Sequence, residues 1–328
     1  MNLDIFEADK NSWIRSAKDI KFENNILECY LRRIDGGFNY NRIEIHPLLL
    51  NKHLINKNGV FTYQLSREED DTIMEQLFPK YEGPVIETLN IDECQILSVN
   101  IPKYNHAREV TLDNLKLYTL PPINVHMGYT HHNYHMSRFS SLLTNPKERC
   151  ELTAGMLEIF DNFVNKYKDI NENAWLLYFE DDVRPVNITI GTDLGRLYNV
   201  PADAELIRPY IGKNTLCDIK NLSYKLTHSG ANRHAFYISV KGCQKTINYA
   251  NKYKWYYRGD ITFFKLAKGC TNFPVGYDGW TYKNSSLDGT NNISPKLLES
   301  EKIIMYAMSH VIFNQISLPC VPFNNENS

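Results

Sequence analysis

The stretch that decides the fold is an apolar run that ends in three acids, Ala174-Trp175-Leu176-Leu177-Tyr178-Phe179-Glu180-Asp181-Asp182-Val183. A continuous apolar run of this length, followed by Arg184-Pro185, predicts a buried strand that delivers carboxylates to the edge of a sheet. Enzymes with α/β folds bind charged ligands at that edge. Three adjacent acids repel one another and are costly to desolvate, so they favour a divalent cation among their oxygens. The stretch therefore predicts a metal site for a diphosphate.

The same acids permit other interpretations. An acidic turn at the end of a strand can face only water, and metal-dependent phosphatases and nucleases also place acids at strand ends. The acids thus indicate a metal more directly than they indicate a reaction.

Composition excludes some classes of protein. The chain has 328 residues, 43% of them hydrophobic, which suffices for one large domain or for a domain plus a module. The net charge is −2 and the sequence has no long basic stripe, which argues against nucleic-acid binding.

The location is predicted from the first residues, the apolar segments and the cysteines. Residues 1–9 do not resemble a secretory signal, and the most apolar segment elsewhere, residues 303–313, is too short to span a bilayer. The seven cysteines are scattered, odd in number and without a CxxC pair, a pattern typical of reduced thiols. We expect a cytoplasmic protein without a transmembrane segment.

The front of the chain, residues 1–90, is predicted to be a small α+β module. Residues 26–34 and 38–45 flank Asp35-Gly36-Gly37 and predict a hairpin, and Asn58-Gly59 predicts a second turn. Ser66-Arg67-Glu68-Glu69 is a capping-box pattern for a helix that stops before Pro79.

Residues 91–328 alternate between strand and helix patterns, which predicts an α/β domain with a mostly parallel, Rossmann-like sheet flanked by helices. Pro209 should restrict the strand at 205–212 to a sheet edge or a bulge. A last helix is expected from Ser294-Pro295 to about Phe313. The other predicted elements are strands at 95–101, 123–126 and 235–240, and helices at 110–118, 152–167 and from Lys241-Gly242 through Tyr249.

Four pieces of the sequence form an ordered set: Ile96-Leu97-Ser98-Val99-Asn100-Ile101 with Arg108, Leu152-Thr153-Ala154-Gly155, Phe179-Glu180-Asp181-Asp182-Val183, and Asn232-Arg233-His234-Ala235-Phe236-Tyr237-Ile238-Ser239. In this order they resemble the motifs of glycosyltransferase family 25, which includes lipooligosaccharide and procollagen galactosyltransferases. The resemblance covers roughly residues 95–280 and implies a GT-A fold, inversion, Mn²⁺ or Mg²⁺, and a nucleotide-diphosphate sugar donor, expected to be a UDP-sugar. The acceptor would be a glycan or glycoprotein.

Roles for single residues follow from the chemistry and from the resemblance. A cation held by Asp182, with Glu180 or Asp181, would neutralise charge on the leaving diphosphate. The acceptor hydroxyl needs a general base, for which Asp260 is favoured as the match to the family's downstream aspartate and Asp278 is the alternative. The donor-contacting residues implied are Asn100, Arg108, Glu180, Asp181, Arg233 and His234.

Histidines and the front module leave alternatives open. His126, His131, His132 and His135 are predicted to be loop residues that face solvent or substrate, with a zinc site as the minor alternative. His310 is expected to pack within the last helix.

Residues 1–90 carry no recognisable catalytic set and are predicted to position an acceptor or to mediate association. The alternatives to glycosyl transfer are metal-dependent phosphohydrolysis and the binding of a sugar or nucleotide by a catalytically inactive module of the same fold.

Overall fold

The computed structural model describes residues 12–45, 54–56, 59, 61–63, 81–99, 102–130, 133–142, 150–209, 215–226, 234–253, 266 and 297–316. The described residues up to 63 belong to one compact unit and those from 81 onward to another. The predicted helix that begins at Ser66 lies outside the described residues.

The first unit is built on a three-stranded antiparallel sheet. Its strands are β1 (Ala17–Glu23), β2 (Ile26–Arg32) and β3 (Phe38–Glu44), in the order β1-β2-β3. Asn24 and Asn25 both have positive φ, 50° and 63°, as a tight two-residue turn requires. Gly36, at φ +84°, turns the chain between β2 and β3, which confirms the predicted hairpin.

One face of this sheet is buried. The apolar side chains of β2 alternate with its more exposed ones, as a half-buried strand requires. A second hairpin, β4 (Leu54–Asn56) with β5 (Phe61–Tyr63), joins the core, and the Trp13 and Phe61 rings meet edge to face at 5.1 Å. The buried apolar residues of the unit include Trp13, Leu27, Cys29, Leu31, Leu54 and Phe61.

The second unit contains a seven-stranded mixed sheet between helices. The strand order is β13-β15-β12-β14-β9-β7-β8, and three of its six pairings are parallel and three antiparallel. The sheet is thus less parallel than predicted, with its longest parallel part in β9, β7 and β8. The strands are β7 (Glu93–Val99), β8 (Ile123–Gly128), β9 (Trp175–Glu180), β12 (Leu206–Arg208), β13 (Tyr224–Leu226), β14 (Ala235–Ser239) and β15 (Met305–Met308).

Two strand pairs and three α-helices complete the part of this unit that the structure describes. Antiparallel pairs form between β6 (Val85–Asn90) and β11 (Arg196–Pro201), and between β10 (Val183–Pro185) and β16 (Phe313–Gln315). The helices are α1 (Pro102–Leu115), α2 (Cys150–Tyr167) and α3 (Val240–Tyr253). Short 3₁₀ helices lie at Tyr134–Met136, Ser140–Leu142, Ile219–Asn221 and Glu299–Glu301.

Separate apolar cores cover the two faces of the large sheet. Residues of α2 and α3 pack with Leu97, Tyr178 and Phe236 on one face. Leu115 of α1 belongs to the core on the other face, with Phe179 and others. Helix α2 packs very closely against β7 at Gly155. A Cβ atom added at Gly155 would be only 2.5 Å from Leu97 Cδ1, so a larger residue would not fit there without a shift. The predicted strand–helix alternation is confirmed here.

Two predicted elements were wrong. The strand at β12 is internal and regular rather than at an edge or bulged, because it ends at Arg208 and Pro209 falls outside the ladder. The last helix was predicted across residues 294–313, but residues 305–308 form β15 between β13 and β12, all four side chains buried. A short apolar run does not by itself distinguish a strand from a helix. Here the pairing of residues 305–308 with a neighbouring strand on each side determines the strand conformation.

Within the described part of the chain, no helix is long and apolar enough to cross a membrane.

Candidate active site at the carboxyl edge of the sheet

The candidate site lies where β7, β8 and β9 end, because parallel strands bring their carboxyl ends to one edge of a sheet. Strand β14 runs antiparallel to β9, so its first residues lie at this same edge. The Glu180 N–H donates to the His234 carbonyl oxygen at 2.8 Å. The acidic segment and the His234 segment, distant in sequence, are therefore direct neighbours.

Asp181 is buried and held by the end of β7. Its Oδ2 accepts hydrogen bonds from Ser98 Oγ at 3.0 Å and from the Val99 N–H at 3.3 Å. Thr111 on α1 donates through Oγ1 to the Asp181 carbonyl at 3.0 Å and accepts from the Val183 N–H at 3.1 Å. Burial raises the pKa of the Asp181 carboxyl to about 6, although the Ser98 and Val99 hydrogen bonds oppose the shift. Asp181 thus fixes the turn after β9.

Asp182 is the less satisfied of the two aspartates. Its Oδ2 accepts a long hydrogen bond from Gln315 Nε2 at 3.4 Å, and its buried Oδ1 has no hydrogen-bond partner within the described ranges. Burial, and then the charges of Glu180 and Asp181, raise the pKa of Asp182 to about 7. A carboxylate here is costly without a counter-charge, which a divalent cation would supply.

The Glu180 side chain does not extend in the same direction as that of Asp181. Glu180 is the last residue of β9, and strand alternation places it on the face of Leu176 and Tyr178, which pack against the α2 and α3 side. Counting only what the structure describes, no three His, Cys, Asp or Glu side chains are grouped to hold a metal ion. The three adjacent acids of the sequence therefore do not form a protein-only cage within these ranges.

Arg108 brings positive charge to the aspartates. It lies on α1, half-buried, and its Nη1 is 3.3 Å from Ser98 Oγ and 3.5 Å from Met127 Sδ. Ser98 thus contacts both Arg108 and Asp181. The positively charged Arg108 guanidinium therefore lies beside the edge of the sheet that carries the acids.

His234 is almost completely buried. Burial, reinforced by the charge of Arg208, lowers the pKa of His234 to about 4, against the opposing effect of a hydrogen bond with the Phe313 backbone. The imidazole is therefore neutral at neutral pH. Arg208, at the end of β12, is 0% exposed, and its Nε lies 3.0 Å from Met305 Sδ.

A second polar cluster surrounds Glu158 of α2. Its Oε1 accepts from Tyr129 Oη at 2.8 Å and from Ser137 Oγ at 2.7 Å, and His126 Nε2 lies 3.5 Å from its Oε2. Burial lowers the pKa of His126, although Glu158 opposes the shift. His126 is therefore a strand residue paired with an acid, which confirms the predicted strand at 123–126 and removes His126 from the predicted loop histidines.

The other predicted histidines differ in where they lie. His135 is exposed in the 3₁₀ helix at Tyr134–Met136, whereas His131 and His132 lie outside the described residues. His310 follows β15, with Nδ1 3.1 Å from Ser309 Oγ, so its predicted place within a helix was wrong.

Four predicted site residues, Asn100, Arg233, Asp260 and Asp278, lie outside the described residues. Conversely, the structure adds Ser98, Thr111, Arg208 and Gln315 to the edge. Of these, Arg208 had a signal in the sequence as a single charge in the apolar run Leu206-Ile207-Arg208-Pro209, and Ser98 lies within the first of the four quoted motifs.

Comparison of the chain with models of known protein families, and with curated proteins, gives no match. The resemblance to glycosyltransferase family 25 therefore stays a prediction.

Proposed function

We propose that this chain is a metal-dependent inverting glycosyltransferase, which moves a sugar from a nucleotide-diphosphate sugar to a glycan or glycoprotein acceptor. The observation that supports the proposal is the Asp181–Asp182 pair, in which Asp181 is buried, Asp182 is half-buried, and the buried Asp182 Oδ1 has no partner in the described part of the chain. A nearby cation and a bound diphosphate would together balance the charges at this edge.

Asp182 would hold the cation, Mn²⁺ or Mg²⁺, which supplies Lewis-acid neutralisation of charge on the leaving diphosphate. Asp181 Oδ2 already accepts hydrogen bonds from Ser98 Oγ and the Val99 N–H, so the role of Asp181 would be to position the turn that carries Asp182. Hard cations accept phosphate and water oxygens, so the donor's own phosphates would complete the ligand set.

The remaining residues of the edge act on the substrate by charge and position. Arg108 places a guanidinium beside the aspartates, where it would pair with a diphosphate oxygen. The neutral His234 joins the start of β14 to the end of β9 through its carbonyl, which fixes the Glu180 backbone. Asp260 is proposed as the base that takes the acceptor proton, with Asp278 as the alternative.

The finer architecture is proposed with the function. Three adjacent parallel strands, helices on both faces of the sheet, and acids directly after the third strand support a GT-A-like fold. The donor would then lie across the carboxyl ends of β7 and β9.

Thermal shift of the whole chain tests the donor class. UDP-sugars with Mn²⁺ should raise the melting temperature by several degrees at about a hundred times their dissociation constant, and neither component alone should do so. A shift without turnover would indicate an inactive binding module. Metal-dependent hydrolysis of simple phosphate esters, without preference for a sugar diphosphate, would indicate a phosphohydrolase.

A matched pair of variants tests the base. Asp260→Asn should lower the transfer rate roughly a hundredfold or more with nearly unchanged donor affinity, as expected for an interaction made in the transition state. Asp278→Asn is the control, and a large loss there alone would move the role to Asp278. Retention of the donor's anomeric configuration in the product would exclude inversion.

A further inference from the structure

The first unit exposes three aromatic side chains on one face of its sheet. Tyr30 lies directly opposite Tyr40, and Arg32 opposite Phe38, so their side chains share one side of the sheet. Tyr30, Phe38 and Tyr40 are 39%, 42% and 52% exposed. The other side of the same strands is buried against the Trp13–Phe61 core. Three large rings on a solvated sheet face indicate a binding surface.

The rings are held in place by their neighbours. The Tyr30 and Tyr40 centroids are 5.4 Å apart with the planes tilted by 59°. Lys18 on β1 places its Nζ 4.2 Å from the Phe38 centroid and 5.6 Å from that of Tyr30. This contact holds the lysine across two strands by cation–π attraction. We call Lys18, Tyr30, Phe38 and Tyr40 the aromatic platform.

The polar groups around the platform match a saccharide. Arg32 can donate hydrogen bonds to hydroxyl groups, and Glu28 can accept them. Glu28 lies opposite Arg42 on the same face and pairs with its Nε at 2.9 Å. A pyranose presents a face of polarised C–H groups to the negative face of an aromatic ring, with its hydroxyls at the rim.

Single-stranded nucleic acid fits the platform less well. Such ligands stack on aromatic rings too, but they need free cations along the phosphate backbone. Here Arg42 is paired with Glu28, Lys18 lies over Phe38, and the Glu28 carboxylate would repel a phosphate.

We propose that the aromatic platform is a carbohydrate-binding site that takes an oligosaccharide by stacking on Tyr30, Phe38 and Tyr40. The identification of this oligosaccharide with the acceptor rests on the proposed glycosyltransferase function. The binding itself does not, because it needs neither the metal nor the aspartates of the second unit.

The experiment uses the full-length chain. A glycan array identifies a bound oligosaccharide, and calorimetry then measures its affinity beside that of a twelve-nucleotide oligothymidylate. The Tyr30→Leu/Tyr40→Leu double variant keeps apolar bulk but removes both rings, and should weaken sugar binding by about tenfold to a hundredfold. Tyr40→Phe keeps the ring and should bind within about twofold of the wild type. Ile34→Ala, at a 93% exposed turn residue of the same unit, is the control and should bind like the wild type.

The outcomes separate this proposal from the proposed function. No oligosaccharide binding, equal binding by the folded double variant, or ring-dependent binding of oligothymidylate in place of sugar would each overturn the platform. Failure of UDP-sugars and Mn²⁺ to shift the melting temperature, with ring-dependent sugar binding intact, would refute the transferase and leave the platform standing.

Discussion

Two acids with buried carboxylate oxygens lie at opposite edges of the seven-stranded sheet, and their surroundings differ. Glu205 precedes β12 and is 2% exposed; its carboxylate lies 3.0 Å from Lys241 Nζ, 2.8 Å from Lys245 Nζ and 3.0 Å from the Ile304 N–H. Asp182, after β9, has one long hydrogen bond to a side chain and an Oδ1 without a partner in the described ranges. Burial alone therefore does not mark a functional acid.

The difference lies in how the charge is balanced. Glu205 is balanced by the protein itself, since Lys245 also donates to the Lys302 carbonyl at 2.7 Å and so joins α3 to the segment before β15. Asp182 lies beside two further acids that raise its pKa. An acid that the fold leaves unbalanced is expected at a site where a ligand supplies the missing charge.

The largest effect should follow from Asp182→Asn. Removing the carboxylate removes the proposed cation ligand, so Mn²⁺-dependent transfer should fall roughly a thousandfold. The fold should persist, because the substitution removes a poorly balanced charge and no apolar contact. Steady-state kinetics with a UDP-sugar measure the loss.

Asp113→Asn is the matched control for that measurement. Asp113 is an exposed residue of α1 whose partner is Lys116 at 2.8 Å, and its substitution should leave turnover unchanged. A folded Asp182→Asn protein with full activity would remove Asp182 from the metal site, and Asp181 would then be tested in its place.

Glu205→Gln should have the opposite profile, with a large cost in stability. It breaks a buried ion cluster and leaves Lys245 without its carboxylate, so unfolding free energy should fall by about 3–5 kcal/mol. Urea unfolding at neutral pH measures it. Glu299→Gln, which affects an exposed pair with Lys302 at 2.6 Å, should cost less than about 1 kcal/mol. Equal costs for the two variants would contradict the contrast between buried and exposed pairs.

The pH dependence of stability should reveal the unbalanced charge. The pKa of Asp182 is about 7 in the folded chain, against about 3.9 in an unfolded one. Between these values the folded state holds a proton that the unfolded state has lost, so stability should fall as pH rises from about 4 to about 7. The contribution is up to a few kcal/mol in chelator.

The difference between wild type and Asp182→Asn isolates this contribution from all other titrating groups. Urea unfolding at several pH values in chelator should show the two proteins converge near pH 4 and separate towards pH 7, with the variant more stable. A constant difference across this range would show that Asp182 is ionised at a normal pKa. Excess Mn²⁺ together with a UDP-sugar should stabilise the wild type and not the variant.

Local patterns predicted much of this architecture. The apolar run before Glu180 folds as β9, the glycines after Asp35 turn a hairpin, and the helical spacing after residue 150 forms α2. Each of these depends on neighbours within a few residues, which is why the sequence alone sufficed.

The contacts of the site could not be predicted in this way. Ser98 meets Asp181 across 83 residues and Gln315 meets Asp182 across 133, so both depend on sheet order and register rather than on local pattern. The same reason explains the error at residues 305–308, whose strand conformation is decided by pairing with β12 and β13.

The smallest effect expected is that of Ser98→Ala. It removes the 3.0 Å hydrogen bond that favours the charged form of Asp181, so the pKa of Asp181 should rise above about 6. Stability at pH 7.5 should fall by about 1–2 kcal/mol, with less loss at pH 5, where Asp181 is largely protonated. Ser141→Ala, at an exposed position of a 3₁₀ helix, is the control and should change stability by less than about 0.5 kcal/mol at both pH values. A loss for Ser98→Ala that is equal at the two pH values would mean that Ser98 supports packing rather than the charge of Asp181. In that case the protein would leave the charges of both Asp181 and Asp182, and not only that of Asp182, to be balanced by a ligand.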